Sequence, residues 1–283
     1  MDDMRELKPG QSVELLKELH ILTWDGKLNQ DSRRKLKQVY HLYQFIEPLL
    51  SEVLQAQPDI QLVDHGAGKS YLGFILYDLF FKGLSGDSHI YGIEAREEMV
   101  EKSQALADRF GFPGMSFLHL SVAAAMGDPR LPATVDVVTA LHACDTATDD
   151  AIRFGLEKQA GFIVLVPCCQ AEVAAALRRN KGKRIGQDPL VEVWRHPLHT
   201  REFGSHLTNV LRCLQLEAHG YQVKVTELVG WEHALKNELI IASKRGLPGW
   251  RAAERLDGLL QALGIEELRQ RFLPADAGSA ARG

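Results

Sequence analysis

Leu62-Val63-Asp64-His65-Gly66-Ala67-Gly68-Lys69-Ser70 is a short apolar run that ends in an acid and passes directly into a glycine turn. Beyond it, Leu72, Ile75, Leu76 and Leu79 recur at i, i+3, i+4 and i+7, so the spacing predicts a helix whose apolar stripe faces a sheet. Glycines let a backbone approach a ligand closely, and a helix N-terminus offers free N–H groups. A nucleotide-like ligand is the natural occupant of such a turn, although a plain strand-to-helix connection with two solvated acids would use the same residues.

Three ligand classes compete for the turn. The Gly-Lys-Ser string suggests a P-loop, but that motif needs a glycine where this chain has Val63. A dinucleotide site wants a third glycine at the position of Tyr71, and it would set a pyrophosphate beside the Asp64 carboxylate. S-Adenosylmethionine carries no phosphate and presents an ammonium and a sulfonium, so an acid at the end of the strand attracts it. The sign of the charge selects the methyl donor. At the end of the next apolar run, Glu94 is placed to accept hydrogen bonds from both ribose hydroxyls.

Outward from the turn, short apolar runs alternate with amphipathic helices: Ile60–Asp64, His89–Glu94, Met115–Leu120, Val135–Leu141 and Gly161–Val166. That βα rhythm means a parallel sheet. A helix over about His206 to His219 then leads into Tyr221–Leu228 and Glu238–Ser243, joined by a short connection that permits antiparallel pairing at the sheet edge. The expectation is a Rossmann-like α/β fold with a mostly parallel seven-stranded sheet and an antiparallel edge strand. Residues 1–57 read as an N-terminal helical extension, with Leu15, Leu16 and Leu19 in one apolar cluster, Leu36, Val39, Tyr40, Tyr43 and Ile46 in a second, and a polar Asp25-Gly26-Lys27 turn between. Residues 58–245 form the cofactor domain, and 246–283 a last helix over Trp250–Phe272 with a frayed tail.

In an open α/β sheet ligands sit outside the carboxyl ends of the strands. The loops after the fourth and fifth strands carry Leu141-His142-Ala143-Cys144-Asp145-Thr146 and Val166-Pro167-Cys168-Cys169-Gln170. Methyl transfer from a sulfonium needs a positioned acceptor and a base to take its proton. His142 is the best candidate base, with Asp145 beside it to take or hold a proton; a ring that only packs on the cofactor is the competing role for His142. Cys144, Cys168 and Cys169 suit close packing, a metal site or a nucleophilic thiol. Adjacent cysteines and the missing Cys-x-x-Cys spacing argue against zinc, so no metal is assigned. Ser121 and Val122, just beyond the third strand, fall where the adenine would lie.

The strings Asp-His-Gly-Ala-Gly-Lys-Ser-Tyr-Leu at 64–72, Leu-His-Ala-Cys-Asp-Thr-Ala-Thr-Asp at 141–149 and Val-Pro-Cys-Cys-Gln at 166–170 resemble a methyltransferase-domain family of bacterial S-adenosylmethionine-dependent enzymes. That family is related to tRNA acceptor-stem 2′-O-methyltransferases and to glutathione-S-transferase-C-terminal-domain-containing proteins. Glu232-His233-Ala234-Leu235-Lys236-Asn237 resembles it too, and the resemblance covers about residues 35 to 245. It implies a class I methyltransferase fold with Asp64, Gly66, Gly68 and Glu94 at the cofactor and His142, Cys144 and Cys168 near the acceptor. His65, Lys69, Tyr71, Ser121, Val122 and His142 complete the candidate cofactor set; His142, Asp145, Cys144, Cys168 and Cys169 form the candidate catalytic set. No Cys/His zinc-finger spacing precedes the core, unlike the tRNA enzymes.

The 283 residues carry 33 Lys+Arg against 37 Asp+Glu, a net charge of −4, so any contact with a polyanion must be local. Two basic clusters qualify for an RNA substrate: Arg33, Arg34, Lys35 and Lys37, and Arg178, Arg179, Lys181, Lys183 and Arg184. The second equally complements a helix C-terminus. Trp194–His206 (WRHPLHTREFGSH) suits stacking and phosphate contacts, or an ordinary lid over the acceptor. The acidic start (MDDMRELKPG) does not read as a signal peptide, and the longest apolar run, Tyr71 to Phe81, contains Asp78 and falls short of the roughly twenty residues of a membrane span. The expectation is a cytoplasmic methyltransferase with RNA the favoured acceptor. A small-molecule or protein acceptor, and a non-catalytic cofactor-fold binding module, are the alternatives.

Overall fold

Leu62 and Val63 are both fully buried although they point to opposite faces, which requires a strand covered on both sides. The computed structural model, which describes residues 6–141, 146–167, 170–180, 191–228, 238–246 and 249–273, puts this strand at the centre of the sheet. The described strands are β1 (Gln61–His65), β2 (His89–Glu94), β3 (Met115–His119), β4 (Val137–Leu141), β5 (Phe162–Val166), β6 (Tyr221–Glu227) and β7 (Glu238–Lys244). They form one seven-stranded sheet of order β3-β2-β1-β4-β5-β7-β6. The first five pair in parallel; β7 runs antiparallel to both β5 and β6. The antiparallel strand is therefore one in from the edge, and β6 forms the edge itself. The strand order reverses between β1 and β4, which opens the crevice where ligands bind in such sheets.

Alternate residues of the strands feed two cores. Leu62, Ile90, Val137 and Val164 share one with the N-terminal helices α1 (Val13–Glu18) and α2 (Gln30–Ala56) and with α3 (Tyr71–Leu79). Val63, Ile93, Val138 and Ile163 share the other with α6 (Thr146–Glu157), behind α4 (Glu97–Arg109) and the one-turn α5 (Val122–Ala125) in chain order. The N-terminal extension is thus part of the sheet's own core. In α2, Leu36, Tyr43, Ile46, Leu50 and Val53 form the buried stripe, and Asn29 caps the helix by accepting from the Ser32 N–H at 2.8 Å. The Ser12 N–H donates to the buried Asp78 carboxylate of α3 at 2.7 Å, which ties α1 down.

A third cluster joins α7 (Glu172–Asn180), α9 (Pro197–Ala218), α10 (Trp250–Leu263) and α11 (Arg269–Phe272), with α8 (Val191–Trp194) preceding α9. Two expectations change here. The stretch 197–206 is the start of α9 and not an irregular lid: Pro197 occupies the first turn, where its missing N–H costs nothing, and Gly204 and Ser205 are buried. The last helix is broken at Gly264, whose φ of +64° ends α10 in the left-handed region. Among the described residues no helix is long and apolar enough to cross a membrane.

Candidate methyl-donor site

The turn after β1 is built by two glycines with positive φ, Gly66 at +67° and Gly68 at +57°. A side chain at Gly68 would be strained in that conformation, and its Cβ would stand 3.6 Å from the Arg96 guanidinium. The Ala67 N–H bonds the Ile93 carbonyl at 3.0 Å, which draws the turn across to β2. Ser70 then closes it in the left-handed region, at φ 49°, and α3 begins at Tyr71 with no side-chain cap. Its first N–H groups stay available to a ligand.

Asp64 lies opposite Thr139 in the β1–β4 register, and the Thr139 hydroxyl donates to its Oδ1 at 2.6 Å. The Asp64 carboxylate is only 4% exposed, and among the described residues no cation pairs with it. Burial pushes its carboxyl up to about 7, against the downward pull of the Thr139 hydroxyl. Such a group stabilises a cation that reaches it. It borders a cavity of about 300 Å³, with Ala67, Tyr71, Leu72 and Leu141 on the sheet side and Ile21, Lys35, Gln38, Val39 and Leu42 from the N-terminal helices on the other.

Glu94 ends β2 and accepts from the Gly68 N–H at 2.8 Å, so the turn and the second acid are locked together. Arg96 supplies its own N–H at 3.0 Å, Nε at 2.9 Å and Nη2 at 3.2 Å to the same carboxylate. Burial raises the Glu94 carboxyl, and the Arg96 guanidinium, the Arg96 N–H and the Gly68 N–H together outweigh it, so the group sits below the ordinary carboxylate range. Glu94 is a carboxylate with strong acceptor oxygens, two of whose contacts belong to a largely exposed guanidinium that a ligand can displace.

The structure brings Asp64, Gly66, Gly68, Tyr71 and Glu94 together around this turn. His65 is a correction: strand alternation turns its ring to the opposite face, fully buried, edge-on to Phe154 at 4.5 Å between centroids. Burial holds it neutral, with its pKa lowered to about 3. Lys69 is exposed and faces a neighbouring groove with Met99 and Lys102, and Tyr71 is the wall between groove and cavity. Ser121 uses its hydroxyl to cap α5, accepting from the Ala124 N–H at 3.2 Å; it follows Leu120, whose N–H bonds the Glu94 carbonyl at 3.1 Å. Val122 opens α5 half-buried. His142, Cys144, Asp145, Cys168 and Cys169 lie outside the described residues. Cys213, the one free cysteine described, is pushed up to about 12 by burial, which keeps it a protonated thiol near neutrality.

Two residues escaped the sequence reading. Thr139 is the one hydroxyl in the apolar run Val137–Leu141, a legible signal that something polar lies opposite. Arg96 has no such mark.

A family model described as a methyltransferase domain matches residues 34–176, half of the chain, and the chain belongs to that family. Its methyl donor is S-adenosyl-L-methionine, and the donor set fits: a buried carboxylate with no cation beside it among the described residues for an ammonium, and a second carboxylate across a glycine turn for ribose hydroxyls. Among curated proteins, the glutathione S-transferase C-terminal domain-containing protein of Bos taurus is 23% identical over 238 residues, covering 77% of this chain and 34% of that protein. The Homo sapiens protein of the same name is 25% identical over 238 residues with the same coverage. The chain spans about a third of the length of these relatives. Among solved structures, magnesium protoporphyrin IX methyltransferase from Synechocystis PCC 6803 with bound SAH matches at 16% identity and a TM-score of 0.47, over 87% of this chain and 100% of that one. An rRNA methylase from Streptococcus thermophilus matches at 14% identity and a TM-score of 0.43, over 71% of this chain and 95% of that one.

Proposed function

We propose that this methyltransferase acts in the cytoplasm on RNA, at an oxygen or nitrogen whose proton the protein removes. S-Adenosyl-L-methionine, when bound, supplies an electrophilic methyl group on a sulfur that leaves without acid assistance. Asp64 holds the ammonium end, and the N–H groups at the start of α3 face the neighbouring carboxylate. Glu94 accepts from the ribose hydroxyls as Arg96 swings aside. His142 takes the acceptor's proton and Asp145 holds the imidazole for that step. Cys144, Cys168 and Cys169 take no covalent part in the step.

The observation that carries the RNA reading is the position of α2. One residue of its basic segment, Lys35, stands in the wall of the cavity that contains Asp64, and Arg33 and Lys37 line a separate groove on the other face of the helix with Tyr40 and His41. Lys35 pairs with Asp31 and Arg33 with Glu6, each at 2.9 Å in half-exposed pairs that are worth little and that phosphates can replace. In the second cluster Arg179 faces Glu267 at 3.7 Å, and Lys181, Lys183 and Arg184 lie outside the described residues.

RNA binding measured across a salt series tests this. A steep loss of affinity with salt, flattened in a variant carrying Arg33→Ala, Lys35→Ala and Lys37→Ala, is expected. Salt-insensitive binding, or a slope unchanged in that variant, moves the acceptor to a small molecule or a protein.

A further inference from the structure

Helix α9 buries a polar stripe. Ser205, Asn209 and Arg212 recur at i, i+4 and i+7, and their exposures are 6%, 5% and 0%. Arg212 is the largest fully buried side chain described. It clamps Asp149 with two bonds, Nε to Oδ1 at 2.7 Å and Nη2 to Oδ2 at 3.0 Å, and its Nη1 reaches the Asn209 Oδ1 at 3.3 Å. That same oxygen of Asn209 accepts from the Gln170 Nε2 at 2.7 Å, and the Asn209 Nδ2 donates to Glu238 at 2.7 Å. The Ser205 hydroxyl donates to Gln170 Oε1 at 2.5 Å.

Buried ion pairs are a poor source of stability, because desolvation cancels most of the attraction and a well-packed apolar substitute often does as well. What this network supplies is geometry. Its three outer members end or directly follow three of the four strings that stand out in the sequence: Asp149 ends the one beginning Leu141-His142, Gln170 ends Val-Pro-Cys-Cys-Gln, and Glu238 directly follows Glu232–Asn237. Gln170 directly follows Cys169 in the chain. Asp149 stands one turn into α6, four residues after Asp145. The two strand-end loops expected to meet the acceptor, and the start of β7, are thus tied through one helix face to a common post on the far side of the sheet from the glycine turn in strand order.

We propose that Asn209 and Arg212 are positioning residues for methyl transfer: from the buried face of α9 they hold Asp149, Gln170 and Glu238 in register, and so fix the chain ends that carry the acceptor-side residues. This goes beyond the RNA reading and holds for any acceptor.

The test compares Asn209→Leu, which removes the Asn209 bonds to Gln170 and Glu238 and leaves Gln170 only its Ser205 bond while keeping the Arg212–Asp149 clamp, with Asn209→Asp, which keeps the acceptor for Gln170 and Arg212 but sets a carboxylate against Glu238. Hydrogen exchange by mass spectrometry reads the segments directly, and calorimetry with S-adenosylhomocysteine reads the donor site. Transfer from tritiated S-adenosylmethionine into an extract of cells lacking the protein reads turnover. In Asn209→Leu, exchange at 166–171 and 228–238 should rise about tenfold or more while peptides over 61–65 and 89–94 stay unchanged. S-Adenosylhomocysteine affinity should stay within about twofold, and transfer should fall about 10–100-fold, in kcat rather than in KM for the donor. In Asn209→Asp, only 228–238 should loosen. Exchange that rises uniformly, or donor affinity that falls in step with transfer, would show a merely structural network and overturn the proposal; so would unchanged exchange in both variants.

Discussion

Among the described residues the buried Asp64 has no cationic partner, and burial pushes its carboxyl up to about 7, so in the free protein it is half protonated near neutrality. An ammonium in the cavity favours the ionised form, so donor-site binding must expel the proton. Between pH 8 and pH 6 the ionised fraction falls from about nine-tenths to about one-tenth, and the affinity for S-adenosylhomocysteine should fall about tenfold, about 1.4 kcal/mol, over that interval. At pH 7 binding should release about half a proton, visible by calorimetry in two buffers of different ionisation enthalpy. Thr139→Val removes the hydroxyl that pulls the Asp64 carboxyl down, so the midpoint should move to higher pH. Asp64→Asn should abolish the pH dependence and cost about 1.5–3 kcal/mol at pH 8, the scale of a lost charge-assisted hydrogen bond. A flat affinity from about pH 5.5 to 8.5, or a midpoint indifferent to Thr139→Val, would refute the assignment of Asp64 to the ammonium.

Three further outcomes follow from the same geometry. Glu94→Ala should weaken S-adenosylhomocysteine by about 1.5–3 kcal/mol, whereas Arg96→Ala should tighten it by up to about fivefold, because the largely exposed guanidinium no longer competes for the ribose acceptors; equal losses in both would contradict this. His65 has a folded pKa of about 3 against an ordinary 6.5, so its contribution to stability is complete above pH 6.5 and is lost as pH falls toward 3. At about pH 4.5 the loss is roughly 2–3 kcal/mol, read as the difference between wild type and His65→Leu in urea unfolding at pH 7 and pH 4.5; a pH-independent difference would be the contrary result. Gly204→Ala would drive a Cβ to within 2.7 Å of the Ala174 backbone where α7 and α9 touch, and should cost about 1–3 kcal/mol in thermal unfolding, an effect that a loose lid at this position would not show.

The sheet was legible because its strands are buried on both faces: continuous apolar runs such as Phe162–Val166 stand out from the amphipathic helices between them. Asp64, Gly66, Gly68 and Glu94 were legible because a glycine turn flanked by two strand-end acids has few other uses. His65 misled, since proximity in a motif says nothing about which face of a pleated strand a ring occupies. The start of α9 misled as well: a stretch dense in His, Arg and aromatics reads as a loop until Gly204 is seen to let two helices touch. The wall that α2 provides for the cavity, and the Arg212 stripe, depend on contacts between elements far apart in the chain, such as Arg212 to Asp149, and no local pattern announces them. An arginine in an amphipathic helix is ordinarily read as solvated.

The most direct test of the account is transfer itself: purified protein, tritiated S-adenosylmethionine and an extract of cells lacking the protein, fractionated afterwards into RNA, protein and small molecules. The account predicts label in the RNA fraction, removed by ribonuclease, reduced about 10–100-fold at limiting donor by Asp64→Asn and about 10²–10⁴-fold by His142→Ala. Label confined to protein or small molecules would contradict the RNA acceptor, and no label in any fraction, with no binding of S-adenosylhomocysteine, would contradict the donor site on which the rest is built.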